Sequence, residues 1–271
     1  MDLLKREIAP INDDAWQQID EEARRVLSLH LSGRKLVDFS GPHGWGLGAV
    51  NSGRLSKLEQ GSVPQVSHAI RVVQPLIELR VPIALNIAEL DNATRGAKDL
   101  DLEAVIAAAG HVALAEDTAI YFGFAPGKIT GMVEASPHTP VQINASQEWP
   151  RAISAAREVL RLAGVGGPYG LALGGAAYDE LTAESDDGYP LRKRVEESIT
   201  DGSLVWAPAL GSDAVLVSLR GGDYELVVGQ DLSVGYESHD RTSVELYLTE
   251  SFTFRVLENK AAVALRRTPR H

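Results

Sequence analysis

The chain has 271 residues, enough for one large or two modest domains with real cores. Its 44% hydrophobic and 23% charged content is that of an ordinary globular protein and excludes a strongly disordered chain. A formal net charge of -11 at pH 7 makes it a poor general binder of nucleic acid, because phosphate contacts need a basic field. Cysteine is absent, which removes disulfides, thiol nucleophiles and thiolate metal sites and fits a reducing, cytoplasmic setting. The opening MDLLKREIAP has acids among its apolar residues and does not read as a signal peptide. No window of 18 apolar residues occurs, so no transmembrane helix is expected.

Residues 1–10 read as an extended arm closed by Pro10. A helix starts near Asn12, a good N-cap followed by Asp13 and Asp14. Trp16, Ile19, Ala23, Val26 and Leu27 line its apolar face, and Gly33 is expected to end it. Leu36, Val37 and Phe39 suggest a short strand, and residues 41–46 a loop. From Leu47 to Val66 the chain is punctuated by Gly and Ser, as expected of a long arm or hairpin without a core of its own. Leu76 to Ile87 alternates like a strand, with Pro82 marking an edge or a bulge.

The longest helical signal runs from about Leu100 to Tyr121, with Leu102, Val105, Ile106, Ala109, Val112, Ala113 and Ile120 at helical spacing. A second helix begins at Pro150. Tyr169 to Leu173 reads as a buried strand, with short helices around 176–181 and 191–199. Strands follow at 203–206, 214–219 and 224–228, the last two read as a hairpin about Gly221-Gly222. A long strand is expected over 244–257 and another over 261–265. The fold class predicted is α+β.

Catalytic patterns fail one by one. Gly123 to Thr130 resembles a phosphate loop, but three residues separate its glycines where four are needed, and Ile129 divides Lys128 from Thr130. Gly164 to Gly170 is glycine-rich but follows a helix, the wrong context for a dinucleotide site. No two of the seven histidines have the spacing of a helical metal pair. No G-x-S-x-G elbow occurs. Glu116 and Asp117 are adjacent, so they point to different sides of their helix and make a poor acid–base pair. The acidic loop 184–188 reads as a solvated turn or, in a ring of subunits, as a rim of charge around an opening.

A series of motifs carries a resemblance. It comprises Gly33-Arg34-Lys35-Leu36-Val37-Asp38, Gly41-Pro42 with Gly44-Trp45, Pro75-Leu76-Ile77-Glu78-Leu79-Arg80 and Glu89-Leu90-Asp91-Asn92. Glu116-Asp117, Gly166-Gly167-Pro168-Tyr169, Tyr189-Pro190-Leu191, Arg220-Gly221-Gly222-Asp223 and residues 229–236 continue it in order. Together they resemble the family 1 encapsulins, the linocin-type shell proteins, over nearly the whole chain. The resemblance implies the tailed-phage (HK97-like) capsid fold. Its parts would be an N-terminal arm and helix over 1–46, an extended loop over 47–74, and a peripheral domain with the spine helix over 75–134. An axial domain over 135–222 and return strands over 223–271 would complete it.

The same resemblance implies a non-enzymatic subunit of a cytoplasmic encapsulin nanocompartment, a homo-oligomer of 60 copies or a multiple. The cargo would be a dye-decolourising peroxidase or a ferritin-like protein carrying a short targeting peptide, serving iron storage or oxidative-stress defence. Arg34, Asp38 and Asp231 would stand near the peptide groove, with Leu31, Leu36 and Leu232 supplying apolar contacts. An ion pair between Arg34 and Asp38 is the plainer structural reading. Glu184, Ser185, Asp186, Asp187 and Gly188 would line a pore. Some members bind flavin through a tryptophan, but Ala88 occupies that position here, so no cofactor is expected. A phage-type major capsid protein packaging DNA is the alternative.

Overall fold

The computed structural model describes residues 3–58, 63, 65–183, 185–186, 189–199 and 202–268, without the side chains of 185 and 186. Leu3 and Leu4 open the described chain by lying across strands, with a 3-10 turn at Arg6–Ile8. The amide of Tyr236 donates to the Leu4 carbonyl (2.8 Å), and the Tyr247 hydroxyl to the Leu3 carbonyl (2.9 Å). Helix α1 (Asp13–His30) starts where the Asn12 side chain accepts from the Ala15 amide at 2.8 Å. It buries Ala15, Trp16, Ile19, Ala23, Val26 and Leu27, the expected face.

The helix ends at His30 rather than at Gly33. Gly33 instead opens a 3-10 turn, Gly33–Lys35, pressed against the long helix. A Cβ at Gly33 would lie 2.6 Å from Ile120 Cδ1, so a larger residue there would require the Ile120 side chain to shift.

Strand β1 (Asp38–Ser40) leads to a hairpin of β2 (Ala49–Leu58) and β3 (His68–Pro75). The two strands form a sheet of their own. Leu55, Leu58, Ile70, Val72 and Val73 are exposed on it. An isolated two-stranded sheet with apolar residues in water is marginal on its own.

Strand β4 (Ile77–Asn86) pairs with β13 alone, so Pro82 sits at an edge, where its missing N–H is tolerated. Helix α2 (Ile87–Thr94), capped by the Asn86 side chain, was not anticipated from the sequence. Helix α3 (Glu103–Phe122) is the spine. By length and composition it could cross a membrane. Yet ten of its residues, Glu116 and Asp117 among them, are buried within the fold, which makes it a core helix.

The chain continues through α4 (Met132–Ala135), β5 (Val141–Ile143), α5 (Trp149–Leu162), β6 (Tyr169–Leu173) and α6 (Gly175–Ala183). The two-residue strands β7 (Ser185–Asp186) and β8 (Tyr189–Pro190) precede α7 (Leu191–Ser198). Strands β9 (Leu204–Trp206), β10 (Ala214–Ser218), β11 (Tyr224–Val228), β12 (Ser233–His239), β13 (Ser243–Val256) and β14 (Ala262–Arg267) complete it.

Two five-stranded sheets result. In the first, β4 runs along one side of β13, while β12 and β11 pair successive stretches of the other, and β1 adds parallel to β11. The second has the order β5-β14-β10-β6-β9. Strands β10 and β11 therefore lie in different sheets, and the hairpin expected about Gly221-Gly222 does not exist. These glycines, at φ 80° and 78°, instead carry the chain from one sheet to the other. Arg220 and Asp223 pair across this joint at 2.7 Å, and Asp38 Oδ2 accepts from the Gly222 amide at 2.6 Å. Those contacts hold an open joint where a hairpin would need a two-strand ladder.

Strand β13 also departs from its alternating pattern. Val244, Leu246 and Leu248 are buried as expected, but so are Tyr247 and Thr249. The strand has neighbours on both sides, and Leu3 and the Arg80 guanidinium, 3.5 Å above the Tyr247 ring, cover its second face.

Candidate functional site: a groove above a buried charge junction

The apolar interior divides into two clusters. One holds α1, the first half of α3, and the Val244–Leu248 end of β13. The other holds the second sheet, the end of α3 around Ile120, and Phe252 and Phe254 of β13. Four short segments cross between the clusters, and each carries a charge at the crossing. Arg34 lies between Leu31 and Leu36, and Glu116 and Asp117 between Ala113 and Ala119. Asp231 lies between Val228 and Val234, and Glu250 between Leu248 and Phe252.

These charges meet at Arg34. Its Nε donates to both oxygens of Glu116 at 3.0 Å, and Nη2 to Glu116 Oε2 at 2.7 Å. The same Nη2 donates to Glu250 Oε1, and Nη1 donates to Asp231 Oδ1 at 2.9 Å. Glu116 and Glu250 are fully buried, while the Asp231 side chain is 39% exposed. Burial opposes the guanidinium charge, but Glu116, then Glu250 and Asp231, outweigh it and hold the arginine above its ordinary pKa. Burial, with Glu116 beside it, pushes Glu250 well above the carboxylate range.

Asp117 faces the other side of the crossing. It accepts from the Gly33 amide (2.8 Å), the Ser32 amide (3.0 Å) and the Ser32 hydroxyl, which also contacts the Tyr121 hydroxyl (2.8 Å). Burial raises Asp117 to about 6 against the pull of these donors. Adjacent positions on one helix thus serve two separate tasks. Glu116 anchors Arg34, and Asp117 caps the 3-10 turn.

Over this junction lies an open groove of about 610 Å³ between α1 and β12. Ala23, Leu27, Leu31, Leu232, Val234 and Leu248 give it an apolar floor. Arg6, Asp20, Arg24, Arg34, Lys35 and Asp231 supply its polar groups. Arg6 is held between Asp20 (2.8 Å) and the face of Trp16 (3.9 Å).

The structure brings Leu31, Arg34, Asp231 and Leu232 together at this groove. Leu36 and Asp38 do not line it. Leu36 is buried in the other cluster, and both residues border a smaller cleft with Ser218, Leu219 and Tyr224. The ion pair considered between Arg34 and Asp38 is absent, because Asp38 turns to the Gly221-Gly222 joint and Arg34 to three other carboxylates. Of the acidic loop, Glu184, Asp187 and Gly188 lie outside the described residues. Ser185 and Asp186 pair in backbone register with Pro190 and Tyr189. Ala88 stands in the first turn of α2 beside a mainly polar cleft that includes Glu89, Asn92, Arg95 and Glu103.

Sequence reasoning missed Glu250 and the role of Glu116. A signal existed, since Glu116 interrupts the apolar spine helix and Glu250 shares a strand face with Leu248 and Phe252.

The linocin-type family model, described as an encapsulating protein for peroxidase, matches residues 1–253. The type 1 encapsulin shell protein of Rhodospirillum rubrum is 46% identical over 273 residues, covering 98% of this chain and 97% of that protein. The corresponding protein of Mycobacterium tuberculosis is 40% identical over 98% of this chain and 99% of its own. Among solved structures, a virus-like particle from Pyrococcus furiosus superposes with a TM-score of 0.62 at 14% identity, covering 93% of this chain and 99% of that one. A Mycobacterium phage Bobi chain superposes with a TM-score of 0.59 at 16% identity, covering 89% and 91%. The fold is therefore that of phage capsid proteins, and the chain belongs to the type 1 encapsulin shell proteins.

Proposed function

We propose that this shell subunit encloses a cargo enzyme by seating the cargo's targeting peptide in the groove between α1 and β12. The observation that carries the reading is an apolar floor edged by charged side chains, open to solvent along its length. A short peptide binds such a surface by burying a few apolar side chains while the rim sets its register. Peroxidase cargo is the first candidate, since the family's description names a peroxidase, and a ferritin-like protein is the second.

In the same reading the β2–β3 hairpin is the extended loop, which covers its exposed Leu55, Ile70 and Val73 against neighbouring subunits. Ser185 and Asp186 border an opening, α3 spines a peripheral domain, and the second sheet forms the axial domain. The closed cytoplasmic particle holds 60 subunits or a multiple, as icosahedral symmetry requires.

The test is Leu232→Asp, a change on the groove floor at a half-buried side chain. Particles of the variant should assemble at the same size and lose cargo about tenfold or more, the effect of ~1.4 kcal/mol in peptide binding. Full cargo loading in assembled Leu232→Asp particles would refute the groove assignment. Particles filled with DNA instead of an enzyme would return the chain to the phage-type alternative.

A further inference from the structure

Beneath the groove, the charge count at Arg34 does not balance. One guanidinium faces Glu116, Glu250 and Asp231. Fully ionised, the set would carry a net charge of −2 (one guanidinium against three carboxylates), with Glu116 and Glu250 fully buried and Asp117 of the next helix position nearby. Such a set is costly at full burial and is relieved when a carboxyl takes up a proton.

The geometry shows where the proton belongs. Glu116 and Glu250 converge on the same Arg34 nitrogen, Nη2, and lie within hydrogen-bonding reach of each other. Two carboxylates can bond to each other only when one is protonated. Glu116 engages the guanidinium with both oxygens, as an ionised carboxylate does. Glu250 offers it only Oε1, and its buried Oε2 accepts from no donor.

Among the described residues no other cation bonds to it. Strand β4 presents Leu79 opposite Glu250 in register, while its charged Glu78 and Arg80 align with Ser251 and Thr249 and so face the other side of the sheet. Spine helix α3 presents Glu116 and Asp117, the β11–β12 connection presents Asp231, and the Gly33–Lys35 turn presents Arg34.

We propose that Glu250 holds a proton beneath Arg34, beside Glu116, and that losing it weakens the tie of the Leu31–Asp38 segment to the spine helix and to β13, so the shell wall loosens as pH rises. Arg34 ties that segment to α3 alongside Asp117, and it alone ties it to β13 through Glu250 and to the groove edge through Asp231, among the described side-chain ion pairs. An added negative charge under it repels Glu116 and divides the arginine's attention between two ionised partners. Burial and Glu116 raise Glu250, as described, so its proton survives well above the usual carboxylate range.

The sign follows from linkage. A folded-state carboxyl raised above its ordinary value of 4.5 binds a proton that the unfolded chain has released. Stability therefore falls as pH rises from about 4.5 toward the raised value and levels off beyond it.

The experiment compares empty wild-type particles with Glu250→Gln particles, so it does not depend on the cargo reading. Glutamine keeps the shape and neutrality of the protonated carboxyl. The ratio of wild-type to variant unfolding constants should grow about tenfold per pH unit across that window, with the variant the more stable. Infrared spectra of wild-type particles near neutral pH should show a buried protonated-carboxyl stretch that Glu250→Gln removes. A ratio flat with pH, a variant less stable at neutral pH, or a spectrum without that band would each overturn the proposal. If the variant fails to assemble, the wild-type spectrum decides through the carboxyl band that persists as pH rises beyond the Asp117 value of about 6.

Discussion

Helix α1 and the β2–β3 hairpin lie within 20 residues of each other in the chain, yet they use apolar surface in opposite ways. The helix buries one apolar face inside its own subunit and leaves its charges outside. The hairpin has no such face. Leu55 aligns with Arg71, so by strand alternation Ile70 points to the opposite side, and both are more than half exposed. The first element is finished when the subunit folds. The second, in the proposed reading, is covered by a neighbouring subunit. Stability of the subunit and competence to assemble should therefore be separable by mutation.

The sharpest break should come at Arg34. Arg34→Met leaves Glu116 and Glu250 without their cation, and breaking one partner of a buried charge cluster costs roughly 3–5 kcal/mol. Thermal unfolding of the isolated subunit, or recovery of soluble protein, would register that loss. Retention of wild-type stability would mean that the junction holds nothing together. Changes on the hairpin should have the opposite signature. Leu55→Asp with Ile70→Asp should abolish particles in size-exclusion chromatography, while the unassembled subunit's stability shifts by only about 0.5 kcal/mol, as for other exposed positions. A fully assembled double variant would erase the contrast. The smallest effect belongs to the start of α1. Asn12→Ala removes one capping bond and should cost about 1 kcal/mol in denaturant unfolding, with particles still forming.

Much of this division was legible in the sequence, because it rests on local patterns. Asn12 followed by two aspartates marks the start of α1, and the apolar spacing from Leu102 to Ile120 marks the spine. The bare stretch after Leu47 marks the hairpin, because small and polar residues cannot supply a core. What escaped depends on the meeting of distant segments. Arg34 and Glu250 are 216 positions apart, so no window contains both. Asp38 belongs to the same sequence motif as Arg34, but the 3-10 turn between them sends it to the inter-sheet joint. The strand pair about Gly221-Gly222 failed for the same reason, since local turn chemistry does not reveal which sheet receives the next strand. Helix α2 and strand β12 were missed because both sit within motifs noticed for other features, and β12 carries glycine and polar residues among its apolar ones.

The joint at Gly221-Gly222 has a further consequence for a molecule built from copies of itself. Few covalent connections link the two sheets, and this one rests on two glycines in a left-handed conformation, steadied by Asp38 and the Arg220–Asp223 pair. A small rotation there tilts one sheet against the other. Repeated around the closed surface proposed for the shell, that tilt would set the curvature of the wall, and with it the radius of the particle and the room inside it.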